Sequence, residues 1–193
     1  MSSATDEAII RATRQAALDF GLQRLTMSDI AQRAGVSRQT IYRRHQDAHG
    51  VVSGLVAREF AQTLSSVATA VTGANGRAIV VARIVEAVSA LRANSLLRKV
   101  LDVEPELLLP YVVERLGATQ RHAVDLITAD VELAQRDGSV RDGDARAMAL
   151  SLLLVAQSFI FFRGTLIEVP EAALLGELER IVDGTLRAAG GCQ

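Results

Sequence analysis

The chain has 193 residues, a net charge of −1, 49% hydrophobic and 4% aromatic residues, three prolines and one cysteine. One cysteine, Cys192, excludes an intramolecular disulfide and a cysteine-based metal cluster, and the near-neutral balance excludes a chain that binds polyanions along its whole length. What remains is an aliphatic, proline-poor composition that favours helices throughout and is ample for one or two packed domains.

Residues 1–4 read as a loose arm. From Thr5 to Phe20, Ile9, Ala16, Ala17 and Phe20 recur at helical spacing, and Gly21 stops that first helix. Thr26, followed three residues later by Asp29, is a capping-box variant that starts a second helix over Met27–Ala34. Gly35 supplies the left-handed residue at its end, with Val36 as the apolar contact that seats the turn. Ser37 then caps a third helix, Arg38 to Arg44. Ile30, Ala31, Ala34, Val36 and Ile41 form the buried set, which leaves Arg38, Gln39, Thr40, Tyr42, Arg43 and Arg44 facing outwards. Arg and Gln suit bidentate contacts with base edges, the Thr40 methyl suits a thymine methyl, and hydroxyls such as that of Ser37, together with guanidiniums, hold phosphates. The charge agrees: residues 1–50 carry seven Arg against five acids, net +2, and residues 51–193 carry fourteen Lys and Arg against seventeen acids, net −3.

The stretch TMSDIAQRAGVSRQTIYRRH resembles the DNA-binding signature of the tetracycline-repressor (TetR) family of bacterial one-component regulators, over about Ile9 to Val56. That resemblance implies Thr26 and Tyr42 as phosphate contacts, Arg38, Gln39 and Thr40 as groove-facing residues, and Arg43 and Arg44 as additional contacts. Two positions depart from the family pattern. His45 stands where an aromatic residue is usual and reads as one packed ring replacing another rather than as a pH switch. Ala48 stands where a phosphate-binding lysine is usual, and each phosphate left without its cation lowers the salt slope by about 0.9.

Asp47 caps a fourth helix running from Ala48 to the Thr72-Gly73 region. Gly50 and Gly54 lie inside it, each about 1 kcal/mol less favourable than alanine, and either close packing or a softer helix would account for them. By the resemblance, this helix links the DNA-binding domain to the remainder and is shifted by a ligand. The turn TGANGR leads to a fifth helix, Arg77–Ala93, broken at Asn94-Ser95, and a short sixth, Leu96–Leu101. Pro105 and Pro110 predict one turn over Glu106–Leu109 and then a long helix from Pro110 to Arg136, ended by Asp137-Gly138. The next helix, Ala145–Gly164, is apolar around its whole axis and must be buried on all sides, by its own core and by a second subunit. The last runs from Pro170 to Ala189.

The expected fold is all-α: a three-helix, helix-turn-helix DNA-binding domain over 1–47 and a helical effector-binding and dimerisation domain over 48–193. The resemblance also implies a homodimer joined through the last two helices. Two recognition helices about 34–36 Å apart then require a palindromic double-stranded operator. The effector would be an apolar or amphipathic small molecule. Its candidate wall is Leu91, Leu101, Leu107, Tyr111, Leu116, Phe159 and Phe162, with Arg115, His122 and Asp125 as polar groups, although such residues serve equally as core. His122 and Asp125, three apart on one helix, suit an imidazole–carboxylate hydrogen bond rather than a metal site. No phosphate loop, nucleophile elbow or cysteine–histidine pair is present, so neither an enzyme nor a cofactor is expected.

The first ten residues lack a signal-peptide pattern, and the longest apolar run, Ala149–Phe162, is interrupted by Ser151, Gln157 and Ser158. A soluble, cytoplasmic protein without a membrane partner is expected. The expected function is a ligand-released transcriptional repressor. An activator, or a regulator controlled by a protein partner, would share its N-terminal residues. A helical protein that has lost DNA recognition would share the rest.

Overall fold

A computed structural model of the chain describes residues 2–21, 25–103, 105, 116–162 and 169–188. Nine helices and no strand occur among them: α1 (Ser2–Phe20), α2 (Met27–Ala34), α3 (Arg38–Tyr42), α4 (Ala48–Ala70), α5 (Gly76–Ala93), α6 (Ser95–Val103), α7 (Ala118–Arg136), α8 (Ala145–Phe161) and α9 (Glu171–Leu186). They form two compact units. One comprises the described residues of Met1–Ala61 and Ala93–Arg115, the other those of Gln62–Arg92 and Leu116–Gln193.

In the first unit, α1 is helical from Ser2, so residues 2–4 belong to the helix rather than to a loose arm. The first four amides of a helix need no intrahelical acceptor, and serine is well tolerated there. Ile9, Ala16 and Ala17 are buried as their spacing predicts, and buried Thr13 satisfies its hydroxyl on the Ile9 carbonyl, one turn back, at 2.7 Å. The left-handed Gly21 (φ 84°) ends α1, and Lys99 of α6 donates to the Leu18 carbonyl, placing a cation where the helix dipole is negative.

Asn94 breaks α5 from α6 as expected, and does so as an N-cap, its Oδ1 accepting from the Leu96 and Leu97 amides at 3.0 Å each. Its Nδ2 donates to Glu59 of α4, whose other carboxylate oxygen takes Arg14 of α1. Among the described residues, none packs closely against Gly50 or Gly54 of α4. A Cβ at Gly50 would meet nothing nearer than the Asp47 carboxylate at 3.4 Å, and one at Gly54 would meet nothing within 4 Å. The close-contact reading finds no partner for either glycine among the described residues.

In the second unit, α7 packs on α8 and α8 on α9. The first contact carries a core of Ala123, Val124, Ala149 and Leu153, flanked by Leu64, Leu116 and Ile127. The long helix expected from Pro110 begins only at Ala118. Gly117 is its extended N-cap, with its amide bonded to the Gln120 side chain at 2.7 Å, and Leu116 precedes it outside any helix. Glycine's freedom outweighs the continuous helical pattern at that point. The one-turn helix expected over Glu106–Leu109 lies outside the described residues. Asp144 caps α8 through the Arg146 and Ala147 amides.

Distant side chains pin this unit's helix ends. Asp137 and Ser139, between α7 and α8, accept the Gly76 and Arg77 amides at the start of α5. The Ser139 hydroxyl, then the Gly76 and Ser139 amides, hold the Asp137 carboxyl below its ordinary range. Arg83 of α5 clasps both carboxylate oxygens of Asp130 on α7, at 2.7 and 2.8 Å, and donates to the Ala68 carbonyl near the end of α4.

Candidate nucleic-acid interface

Residues 26–45 form a site whose geometry is set by its caps. The Asp29 amide donates to the Thr26 hydroxyl at 3.2 Å and the Thr26 amide donates to the Asp29 carboxylate at 3.3 Å, so both halves of the capping box form; the Thr26 hydroxyl also donates to Asp29 at 2.6 Å. At the other end of α2, Gly35 is left-handed (φ 65°); its amide reaches the Gln32 carbonyl and that of Val36 reaches Ala31, which together close a Schellman turn. α3 starts two residues later at Ser37, whose Oγ accepts the Thr40 amide at 3.1 Å and shares a hydrogen bond with the Thr40 hydroxyl at 2.8 Å. Ile41, fully buried, is the only buried side chain of α3. α2 contributes Met27, Ile30 and Ala31 to the same interior.

With Ile41 turned inwards, Ser37, Arg38, Gln39, Tyr42 and Arg43 are exposed and Thr40 is half-buried. Tyr42 is 55% exposed, a large burial opportunity forgone by an aromatic ring unless another surface covers it. The exposed set offers two guanidiniums, an amide with donor and acceptor, a phenol and hydroxyls, all on one short helix. Such a surface can hold phosphates and read base edges at once. Thr26 is also exposed, but its hydroxyl proton is engaged with Asp29, so a phosphate there must exchange that bond.

Arg44 is placed differently from its neighbours. α3 ends at Tyr42 rather than Arg44, and the chain tightens as the Arg44 and His45 amides both donate to the Ile41 carbonyl. The half-buried Arg44 side chain forms an ion pair with Asp6 of α1. Nothing in the sequence marks that pair, because its members are 38 residues apart. His45 is half-buried, and α4 starts at once behind it, capped by Asp47 on the Gly50 amide at 2.7 Å.

The residues suggested for an effector site are less uniform. Leu91 is core, Leu101 and Phe159 are half-buried, and His122 and Phe162 are exposed. Leu101 belongs to the first compact unit, and Leu91, His122, Phe159 and Phe162 to the second. Leu107, Tyr111 and Arg115 lie outside the described residues. Asp125 pairs with Arg146 of α8 at 3.0 Å instead of bonding to His122 as its spacing suggests, because a full cation on the facing helix is the stronger partner. Sequence reasoning passed over Arg92, which donates to Glu171 and to the Phe159 carbonyl and so caps α8 from α5. Among the described residues no three His, Cys, Asp or Glu side chains gather as a metal site, and no helix is long and apolar enough to cross a membrane.

The family profile described as "Bacterial regulatory proteins, tetR family" matches residues 9–47, from within α1 to the α4 cap. An uncharacterised HTH-type transcriptional regulator of Mycobacterium tuberculosis is 36% identical over 179 residues, 92% of each chain. Among solved structures, the TetR-family transcriptional repressor QsdR of R. erythropolis is similar with a TM-score of 0.68 at 15% identity, covering 98% of this chain and 99% of its own. The TetR-family repressor AlkX of a Dietzia strain is similar with a TM-score of 0.66 at 20% identity, covering 93% and 94%.

Proposed function

The chain belongs to the TetR family of bacterial transcriptional regulators, with a DNA-binding helix-turn-helix at its N-terminus, and from that premise we propose that it is a homodimeric repressor released from a palindromic operator by a small molecule. The observation that carries the reading is the exposed strip Arg38, Gln39, Tyr42 and Arg43, held on a helix whose only buried side chain is Ile41 and whose start is locked by Ser37. In this reading residues 1–47 read DNA in the cytoplasm, where the operator is, and residues 48–193 bind the effector and the second subunit.

Support for the dimer comes from α8 and α9. Leu150 and Leu154, one turn apart on α8, and Ile181 on α9 are exposed, Leu154 at 54%, although both helices bury their other faces. A second copy covering these residues would resolve the all-round apolar character of α8. It would also present two recognition helices, which at about 34–36 Å meet successive major grooves. The effector, an apolar or amphipathic molecule among residues such as Leu91, Phe159 and Phe162, acts by binding more tightly to the conformation that misplaces those helices.

The test is fluorescence anisotropy of the protein with duplex DNA from upstream of its own gene, against a scrambled duplex, across a salt series. Saturable preference for the upstream duplex is expected. Arg38→Ala should weaken it by roughly 5- to 100-fold while leaving the oligomeric state unchanged. Equal affinity of wild type and Arg38→Ala for an operator that wild type prefers would sink this reading.

A further inference from the structure

Arg44 lies two residues beyond Tyr42, close to the groove-facing set, and would by position be counted as one more phosphate contact. Its side chain is only 21% exposed, however, and its guanidinium is engaged by the carboxylate of Asp6, in the second turn of α1. α3 itself has five residues, far below the length at which a helix persists in water. Its pose therefore depends on what holds it from outside: Ser37 at the start, Ile41 beneath, and Arg44 at the end, where the last amides have already folded back on the Ile41 carbonyl. The first two of these holds are local to α3 and its floor. The third ties it to α1.

We propose that Asp6 and Arg44 are a positioning pair for DNA recognition: the ion pair fixes the end of the recognition helix against α1, and Arg44 does not serve as a phosphate contact. The proposal rests on the DNA-reading function argued above. It carries a counterintuitive sign. A carboxylate beside a polyanion-binding surface repels phosphates, so on charge alone its removal strengthens binding. If the carboxylate holds the recognition helix in register, its removal weakens binding instead.

The experiment uses the full-length protein with Asp6→Asn, Arg44→Met and the double substitution, titrated with operator and scrambled duplexes over a salt series, with thermal unfolding in parallel. Asp6→Asn is nearly isosteric and should fold with a small loss of midpoint. Expected is an operator affinity about fivefold weaker for each single variant, in line with one half-buried ion pair. The double variant should be no worse than either single, since both remove one interaction. In Asp6→Asn the affinity for scrambled DNA should not fall with that for the operator, so that the loss falls on selectivity, and the salt slope of Arg44→Met should stay at the wild-type value. Asp6→Arg combined with Arg44→Asp, which reverses the pair, should recover part of it.

Tighter or unchanged operator binding by Asp6→Asn would overturn the proposal, as would a salt slope reduced by about 0.9 in Arg44→Met, which would assign Arg44 to a phosphate. An equal loss on both duplexes would also overturn it, by showing general damage to the fold. Failure of the DNA-reading function itself is recognised separately, because wild type would then show no preference between the duplexes, and the proposal would fall with it.

Discussion

The α2–α3 pair in one unit and α5, α7, α8 and α9 in the other both solve the problem of unsatisfied helix ends, and they solve it at different ranges. Around α2 and α3 the partners are three to five residues away: Thr26 with Asp29, Gly35 and Val36 with Gln32 and Ala31, Ser37 with Thr40. In the other unit Asp144 and Gln120 also cap locally, but further partners come from distant elements. Asp137 holds the Gly76 amide across 61 residues, and Arg92 holds the Phe159 carbonyl across 67. Short-range capping can be exchanged piece by piece while the turn survives, which suits a surface that must read different operators in different proteins. Long-range capping makes each helix end depend on the arrangement of the others.

The most severe way to break this contrast is at Ile41, where local capping has only one buried side chain beneath it. Ile41→Ala should reduce stability by about 3 kcal/mol in urea unfolding followed by circular dichroism and abolish selective operator binding. A loss under about 1 kcal/mol would show that the caps alone hold α3. Gly54 should shift stability the other way: Gly54→Ala meets no obstruction and should stabilise the chain by about 1 kcal/mol in the same assay. A destabilising result would mean that α4 requires glycine there.

The smallest effect probes the long-range side. Hydrogen bonds from Ser139 and Gly76 lower the Asp137 pKa from 3.8, so the stabilisation it provides is present above the unfolded value and is lost as pH falls through the lower folded value. Asp137→Asn should therefore be slightly less stable than wild type at neutral pH and converge on it as pH falls through the lower folded value, which flattens the acid limb. An acid limb identical to wild type would remove Asp137 from the group that ties α5 to the α7–α8 loop.

The recognition region was legible because its signals are short-range. A Thr three residues before an Asp, a Gly closing a turn and a Ser opening a helix each identify a backbone hydrogen bond without knowledge of the fold, and α2 begins and ends where they indicate. Asn94 was readable as a break for the same reason. The start of α7 was not, because the apolar sequence pattern gives no sign of a break where the extended backbone at Gly117 caps the helix. Asp6 with Arg44, Arg83 with Ala68, and Arg92 with Phe159 had no sequence signal at all. Each joins a charged side chain of ordinary surface type to a group that only tertiary folding brings near. The same limit applies to Asp125, where the neighbour three residues away was a poorer guide than Arg146 on the next helix.

The Asp6–Arg44 pair also orders events in time. It spans 38 residues and closes over a helix too short to nucleate alone, so α3 can be completed only after α1 is in place and the chain has returned to it. The end of the DNA-reading helix should therefore open more readily in native fluctuations than the helix beside it. Amide hydrogens of Thr40 and Ile41 should exchange with solvent sooner than those of Ile30 and Ala31 on the neighbouring helix.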